Sequence, residues 1–305
     1  KDDFELDDFN RGLMGYAVVN EKFYGLRYLR STPILYMNKT LVEKAGLDPA
    51  GPKNWSEFEE YARKLTKKGE RVGLSLATDI WFFEAFVAQS GGQMLSDDGK
   101  KAEFNGKAGV ESLEFWKKLK TDGISKVLTG DTAGDVAKQD FANGRAAMIF
   151  SSTADLSYLL SLAEEGKFEL KTAFMPANDS YGVPTGGCNL VMTAGLSKEK
   201  QEAAWAFIKF MTDKEQTIYA SEHTGYLPSR LSAGESEEMK ALYKEKPQFK
   251  VAVDQLKYGH ARPMAEGYPE VVKVVVDELN RTLLKDAEPK DSLDAAAKKA
   301  DQLLK

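Results

Sequence analysis

Several residue types that carry common protein chemistry are scarce in this 305-residue chain. Cysteine occurs once, at Cys188, which excludes an internal disulfide framework and a cysteine-based zinc cage. The two histidines, His223 and His260, are too few for a His-rich metal site. No histidine or asparagine pattern of a catalytic cysteine surrounds Cys188, so we expect a buried, inert thiol there. We therefore expect no bound metal and no cofactor.

Long apolar runs and clusters of one charge are missing as well. The net charge is −5, and lysine and arginine alternate with aspartate and glutamate throughout. A nucleic-acid partner would need clustered basic residues, so none is expected. No apolar run reaches the roughly 18 residues of a membrane helix. The first 26 residues contain neither a signal peptide nor a lipidation cysteine, and they resemble the interior of a domain.

The usual catalytic motifs are also lacking. No glycine-rich phosphate loop follows a strand, and the nucleophile elbow G-x-S-x-G does not occur. The acidic pair Asp97 and Asp98 lacks the alternating ligands of a calcium loop, which indicates a solvated turn. With 47 acidic residues, a glycosidase-type carboxylate pair cannot be dismissed by counting. Ligand binding is the leading interpretation, with a polysaccharide-cleaving enzyme and a protein-binding module as the other classes.

What the chain does contain is a regular alternation of strand and helix patterns, which predicts an α/β protein with layered sheets. Residues 16–39 predict a hairpin that leads into a strand, and Asn54 or Ser56 is the expected cap of a helix with apolar residues at helical spacing. The last hundred residues predict mostly helices, at about 200–221, 235–246, 248–256, 267–285 and 291–304.

Four stretches together resemble the extracellular solute-binding proteins of ABC importers, which include the maltose and glycerol-3-phosphate binders. They are "STPILYMNKTLVEKAGLDP" with "PKNWSEFEEYARKL", "FANGRAAMIFSST", "TGGCNLVMTAG" and "EHTGYLPSR". The resemblance implies a two-lobed periplasmic-binding-protein fold of type II, with about 100 residues of the family absent before residue 1, so that the N-terminal lobe is incomplete. It implies residues 1–32 and 187–227 in the N-terminal lobe, and 33–186 and 228–305 in the C-terminal lobe.

The stretch "HTGYLPSR" places one aromatic residue between a glycine and a proline. Gly225 can end a helix with positive φ, and Pro228 prevents the helix from resuming. Tyr226 would then be held rigidly, with a hydroxyl and an apolar face that suit a sugar or polyol. The resemblance makes Tyr226 a ligand contact; packing in the core is the alternative.

The resemblance implies seven further ligand-binding residues, and each has a purely structural alternative. Ser31 and the backbone of Gly186 and Gly187 would approach the ligand closely. Trp81 would be a tryptophan in the cleft, and Ser151 and Ser152 would be serines at the start of a helix. Arg262 would be an arginine that binds phosphate. Arg30 stands where the relative has a second serine, and the spacing after Arg262 differs by about two residues.

The function implied by the resemblance is non-enzymatic capture of a small solute between two lobes, by hinge closure, for delivery to the transmembrane subunits of an ABC importer. Glycerol-3-phosphate or a related phosphodiester is the expected ligand, with an oligosaccharide as the alternative. We expect a monomer. The absent N-terminal segment could be a separate chain, could have been deleted, or could lie outside the sequence given. The expected location is the periplasm or the outer face of the cell membrane, with lipid anchoring left open.

Overall fold

The computed structural model describes residues 4–9, 17–19 and 22–304, without the side chains of 18 and 19. The chain forms two compact units. The first comprises residues 1–32, 152–158 and 185–262, and the second comprises residues 33–151, 159–184 and 263–305. The chain therefore passes from one unit to the other five times, without a long linker. The lobe boundaries inferred from sequence stay a prediction.

Strands and helices alternate through the first 190 residues, after which helices dominate. The strands are β1 (Val18–Val19), β2 (Lys22–Phe23), β3 (Leu26–Ser31), β4 (Pro33–Asn38), β5 (Val72–Ala77), β6 (Ser125–Leu128), β7 (Ala146–Ser152), β8 (Leu170–Ala173), β9 (Val183–Pro184), β10 (Gly186–Leu190) and β11 (Gly259–His260). The earlier helices are α1 (Lys39–Lys44), α2 (Trp55–Leu65), α3 (Ile80–Gln89), α4 (Lys107–Thr121), α5 (Ala133–Ala142) and α6 (Leu156–Glu165). The later ones are α7 (Lys198–Met211), α8 (Lys214–Thr224), α9 (Leu231–Gly234), α10 (Glu237–Glu245), α11 (Pro247–Gln255), α12 (Tyr268–Lys285) and α13 (Pro289–Leu303). This confirms the mixed α/β class.

The second unit is built on a five-stranded sheet in the order β6-β5-β7-β4-β8. Strand β5 pairs in parallel with β6 and β7, whereas β4 pairs antiparallel with β8. All six residues of β4 are buried, as expected for a strand covered on both faces. The carboxyl ends of β5 and β7 lie at one edge of this sheet, the edge at which α/β proteins usually bind ligands.

Helices cover the sheet of the second unit with a large aromatic core. Asn54 caps α2 by accepting a hydrogen bond from the backbone N–H of Glu57, which confirms one of the two predicted caps. The rings of Trp55 and Phe115 stack with centroids 4.7 Å apart. Tyr268 opens α12 and donates its hydroxyl to the buried carboxylate of Glu84 at 2.6 Å. The core thus ties the C-terminal helices to α3 of the same unit.

The first unit holds two short antiparallel pairs, β1 with β2 and β3 with β10. The β1–β2 pair agrees with the predicted hairpin, but its turn at residues 20–21 lies outside the described residues. Arg230 is almost fully buried and joins the N-terminal segment to the helices: its Nη1 lies 3.1 Å from Asp8 Oδ2, and its Nε donates to the Thr212 carbonyl at 2.6 Å.

Two sequence-based expectations about this region are wrong. The helix predicted at about 200–221 is two helices, α7 and α8, because the chain turns at Thr212 and Asp213 starts α8 by accepting the backbone N–H of Lys214. Cys188 is exposed instead of buried, because β10 has only one neighbouring strand among the described residues.

Candidate functional site

Three backbone segments of the first unit run side by side and bring together four of the eight residues selected from sequence. Gly186 pairs with Ser31, and Gly187 pairs with Arg30. On the other side of β3, the backbone N–H of Leu227 donates to the Arg30 carbonyl at 2.7 Å. The 225–228 turn, the end of β3 and the start of β10 are therefore adjacent.

Gly187 lies against β3 more closely than any other residue type could. Its φ is +112°, and a Cβ at this position would come within 2.0 Å of the Leu29 carbonyl oxygen. Glycine alone tolerates both the positive φ and this approach. The exposed backbone at Gly187 is thus open to a small molecule on the side that faces away from β3.

Tyr226 is fixed from both sides by its neighbours. Gly225 ends α8 in the left-handed region with φ +108°, which confirms the helix end expected from the sequence. A Cβ on Gly225 would lie 2.2 Å from the Thr153 carbonyl oxygen, so this turn packs tightly on the 3-10 helix at 153–155. The N–H of Tyr226 donates to Thr224 Oγ1 at 3.0 Å. Its ring is half-buried, so part of it remains accessible.

The helix start predicted at Ser151 and Ser152 is present. The hydroxyl of Ser152 accepts the backbone N–H of Ala154 at 3.1 Å and so acts as a helix cap, which was the alternative to ligand binding. A serine hydroxyl that accepts one hydrogen bond can still donate another. The N–H of Thr153 donates to the Thr32 carbonyl at 3.0 Å, which places this helix start next to the end of β3.

Charges around these segments are unevenly distributed. Burial raises the pKa of the Tyr226 hydroxyl, and electrostatic interactions with Cys188, Asp155 and Tyr28 raise it further. On β3, burial and the positive charge of Arg30 lower the pKa of Arg27 to about 9. The Asp155 carboxylate thus lies near Tyr226, whereas two arginines, Arg27 and Arg30, lie close together on β3.

Sequence reasoning did not select three polar residues that the fold places here. Asp155 lies on the 3-10 helix that packs against the Tyr226 turn. Arg30 is 1% exposed and donates to Asn189 Oδ1 at 2.5 Å. The departure at Arg30 from the family's serine was a signal for one of them, but nothing in the sequence marks Asp155 as a neighbour of the tyrosine.

Arg262 is the last residue of the first unit and is half-buried. It follows His260 by two residues, and the His260 carbonyl accepts the backbone N–H of Thr185 at 2.8 Å. Thr185 directly precedes β10, so the chain at His260 runs beside the start of that strand. A role for Arg262 in binding phosphate stays a prediction.

Trp81 and Ser151 belong to the second unit, where Trp81 follows β5 and Ser151 is the second-to-last residue of β7. Trp81 lies in the first turn of α3, half-buried, with its ring stacked on Phe82 at a centroid distance of 6.3 Å. Its indole Nε1 and the Thr78 hydroxyl are buried and have no hydrogen-bond partner among the described residues. These two groups could therefore hydrogen-bond a polar molecule at the carboxyl edge of the sheet.

Within the described ranges, no three of the metal-binding side chains His, Cys, Asp and Glu converge on one point. None of the helices described is both long and apolar enough to cross a membrane. The groups available near Tyr226 in the first unit are hydroxyls, backbone amides, an aromatic face and the Asp155 carboxylate. Such groups bind a small polar solute by hydrogen bonds and stacking.

Comparison with known proteins gives a consistent result. Residues 1–251 match the family described as bacterial extracellular solute-binding protein. The sn-glycerol-3-phosphate-binding periplasmic protein UgpB of Escherichia coli strain K12 is 30% identical over 295 residues, or 90% of this chain and 66% of that protein. The chain thus spans just under two thirds of the length of this relative.

Two solved structures illustrate the likeness in fold. UgpB from Mycobacterium tuberculosis in complex with glycerophosphocholine has a TM-score of 0.86 and 27% identity, covering 98% of this chain and 75% of that one. Maltose-bound MalE3 of T. maritima also gives a TM-score of 0.86, at 24% identity, covering 100% of this chain and 78% of that one. The chain belongs to the bacterial extracellular solute-binding protein family and has the fold of these binding proteins.

Proposed function

We propose, from its membership of this family, that the protein captures a small solute outside the cytoplasm and delivers it to the transmembrane subunits of an ABC importer. In this proposal the protein binds and releases the ligand without changing it chemically. The observation that carries it is the rigid Tyr226 turn beside the backbone of Ser31 and Gly187. Prearranged groups of this kind bind a ligand at a low entropic cost.

Glycerol-3-phosphate or a glycerophosphodiester is the ligand class we favour. Such a molecule has an anionic phosphate and a polyol portion, which need different surroundings. Ser31 and the guanidinium of Arg262 suit the phosphate, since arginine can bind it with two hydrogen bonds. Tyr226 and the nearby carboxylate of Asp155 suit hydroxyl groups and repel an anion. The identity shared with the glycerol-3-phosphate binder supports this class.

A neutral oligosaccharide is the second candidate, and the Asp155 carboxylate near Tyr226 favours it. A carboxylate accepts hydrogen bonds from sugar hydroxyls, and a half-exposed tyrosine packs on the CH face of a sugar ring. A polysaccharide-cleaving enzyme remains a distant third possibility; the relatives named above are described as binding proteins.

Calorimetric titration of the 305-residue protein with glycerol-3-phosphate, glycerophosphocholine and maltose tests the proposal. We expect micromolar binding of a phosphate ligand and at least tenfold weaker binding by Arg262→Ala, a loss of about 1.4 kcal/mol. Arg63→Ala is the matched control, because Arg63 is a surface arginine of α2 in ion pairs with Glu59 and Asp122. Asp155→Asn should strengthen phosphate binding by removing a nearby negative charge.

Three outcomes would change the assignment. Unchanged affinity in Arg262→Ala would remove this arginine from phosphate recognition. Binding of maltose but of neither phosphate ligand would select the oligosaccharide candidate. Turnover of a sugar by the pure protein, followed by chromatography of the products, would replace binding by catalysis.

A further inference from the structure

A cavity of about 640 Å³ lies on the second unit, at the amino ends of three neighbouring strands of its sheet. Its walls come from residues 66–72, which lead into β5, from residues 121–126, which lead into β6, and from the residue before β7. Strand β5 pairs in parallel with β6 and β7, so the three strands start at one edge, opposite their carboxyl ends. The lining contains none of the eight residues selected from sequence for ligand binding. Its volume is within the usual range for small-molecule sites, about 300–1,000 Å³.

Basic side chains dominate this cavity, which we call the amino-edge pocket. The four that line it are Lys68, Arg71, Lys126 and Arg145. The backbone N–H of Val72 donates to the Arg145 carbonyl at 3.0 Å, so Arg71 and Arg145 lie side by side at the starts of β5 and β7. Lys126 lies on β6, which pairs with the other side of β5. The sheet therefore brings together cations that are far apart in the sequence.

A buried carboxylate orients two of these cations. Asp140 on α5 is 1% exposed and accepts a hydrogen bond from the Ser75 hydroxyl at 3.1 Å. Its Oδ2 lies 2.7 Å from Lys126 Nζ, and its Oδ1 lies 2.9 Å from Arg145 Nε. In the part of the chain that the structure describes, neither Nη group of Arg145 has a hydrogen-bond partner. The guanidinium is thus held in place while its outer donors remain available to an oxyanion.

The two acidic residues that line the pocket are paired mainly with cations outside it. Glu70 Oε2 lies 2.5 Å from Lys67 Nζ, whereas its other oxygen is 3.7 Å from a guanidinium nitrogen of the pocket. Asp122 Oδ2 lies 2.6 Å from Arg63 Nη2 and 3.3 Å from Lys118 Nζ. The four pocket cations are therefore balanced mainly by one buried carboxylate. This leaves an excess of positive charge in a chain whose net charge is −5.

We propose that the amino-edge pocket binds a small multivalent oxyanion of the diphosphate type. Cations gathered around one cavity repel each other, and an anion with charge at both ends relieves this repulsion on more than one wall. An anionic lipid surface fits less well, because it attracts basic residues clustered over an extended surface, whereas this chain has interleaved charges and a negative net charge. A bound anion joins the starts of β5, β6 and β7, and it stabilises the second unit because it binds only the folded state. The site goes beyond the proposed solute site and does not depend on it.

Calorimetric titration of the 305-residue protein with inorganic pyrophosphate tests this site. The titration is done in Arg262→Ala, which lacks the arginine proposed to bind phosphate in the first unit. We expect one pyrophosphate per chain, and a dissociation constant that rises at least fivefold between about 20 and 200 mM NaCl, because salt screens exposed charges. Hydrogen exchange of the backbone amides at 67–72 and 122–126 should slow at least threefold, which locates the bound anion.

Charge variants separate binding from folding. Lys68 is exposed and has no ion-pair partner among the described residues, so Lys68→Glu should fold normally and raise the dissociation constant at least tenfold. Asp140→Asn removes the carboxylate that competes with the anion for Lys126 and Arg145, and it should lower the dissociation constant at least threefold. A carboxylate with a merely structural role would not increase the affinity for an anion when it is removed.

Lys100→Glu is the matched control, because Lys100 is an exposed lysine of the same unit outside the pocket, and it should change the affinity less than twofold. Unchanged affinity in a folded Lys68→Glu, or an equal loss in Lys100→Glu, would overturn the inference. Weaker binding by a folded Asp140→Asn would do the same. Binding to phosphatidylglycerol vesicles that requires Lys68, without binding of free pyrophosphate, would replace the small oxyanion by a membrane surface.

Discussion

Replacement of Gly187 by alanine tests how the first unit is held together. The side chain of alanine would have to occupy a position 2.0 Å from the Leu29 carbonyl oxygen and 2.9 Å from the Arg30 Cα. An ordinary carbon–oxygen contact needs about 3.4 Å, so β10 and β3 must separate by about 1 Å or more. Backbone hydrogen bonds of normal length do not survive such a shift.

The expected loss of stability has two parts. The positive φ of +112° costs a non-glycine residue about 1–2 kcal/mol. Loss of about two hydrogen bonds between β3 and β10 costs about 1 kcal/mol each. Gly187→Ala should therefore lower the free energy of unfolding of the first unit by about 3–4 kcal/mol.

Gly195 provides the control for backbone strain. It also has a positive φ, +79°, in the same unit, but a Cβ there would meet no atom within 4 Å. Gly195→Ala should therefore cost only the strain, about 1–2 kcal/mol. Urea unfolding of both variants, followed by hydrogen exchange at 186–190 and 26–31, measures the difference. Equal losses in the two variants would refute the argument that Gly187 is required for strand contact.

Two further predictions concern ion pairs. Arg230→Ala should lower the free energy of unfolding by about 3 kcal/mol and speed hydrogen exchange at residues 4–9, because it leaves the partly buried Asp8 without its cation; a loss no larger than that of Arg63→Ala would contradict this. Burial raises the pKa of Asp140, but Lys126, Arg145 and Ser75 lower it more, so the net shift is downward. The native state then binds the proton less readily than the unfolded state, and this stabilisation is present above pH about 4 and lost as the pH falls through the native pKa. Asp140→Asn should therefore have a free energy of unfolding about 1–3 kcal/mol lower than that of the parent at pH 7, and this difference should shrink at pH 3. Urea unfolding at both pH values measures it, and a difference that does not change with pH would contradict this reasoning.

Local sequence patterns were sufficient to predict the ends of helices that are capped by their own residues. Asn54 starts α2 with its side chain, and Gly225 ends α8 with a positive φ. Both devices act within four residues, so they can be recognised without knowing the fold. The helix predicted at about 267–285 and the strand predicted after the hairpin are likewise present, as α12 and β4.

Elements decided by distant contacts were not recognised. Strand β6 is only four residues long, and it is a strand because it pairs in parallel with β5. The break between α7 and α8 falls within a continuous helical pattern, and the turn at Thr212 accepts a hydrogen bond from the Arg230 side chain. Neither partner is close in sequence, so no local pattern could indicate these contacts.

The candidate site likewise contains some residues that the sequence predicts and others that only the fold brings together. The resemblance carried by the order and spacing of its motifs selected Ser31, Gly187 and Tyr226, and the glycine and proline that flank Tyr226 predicted its rigid turn. The tertiary structure placed Asp155 near Tyr226 and left Cys188 exposed, since both depend on which strands and turns pack side by side. Sequence by itself determined the fold class and the rigid turn, whereas the position of Asp155 near that turn and the open edge of β10 arise only when segments far apart in the sequence come together.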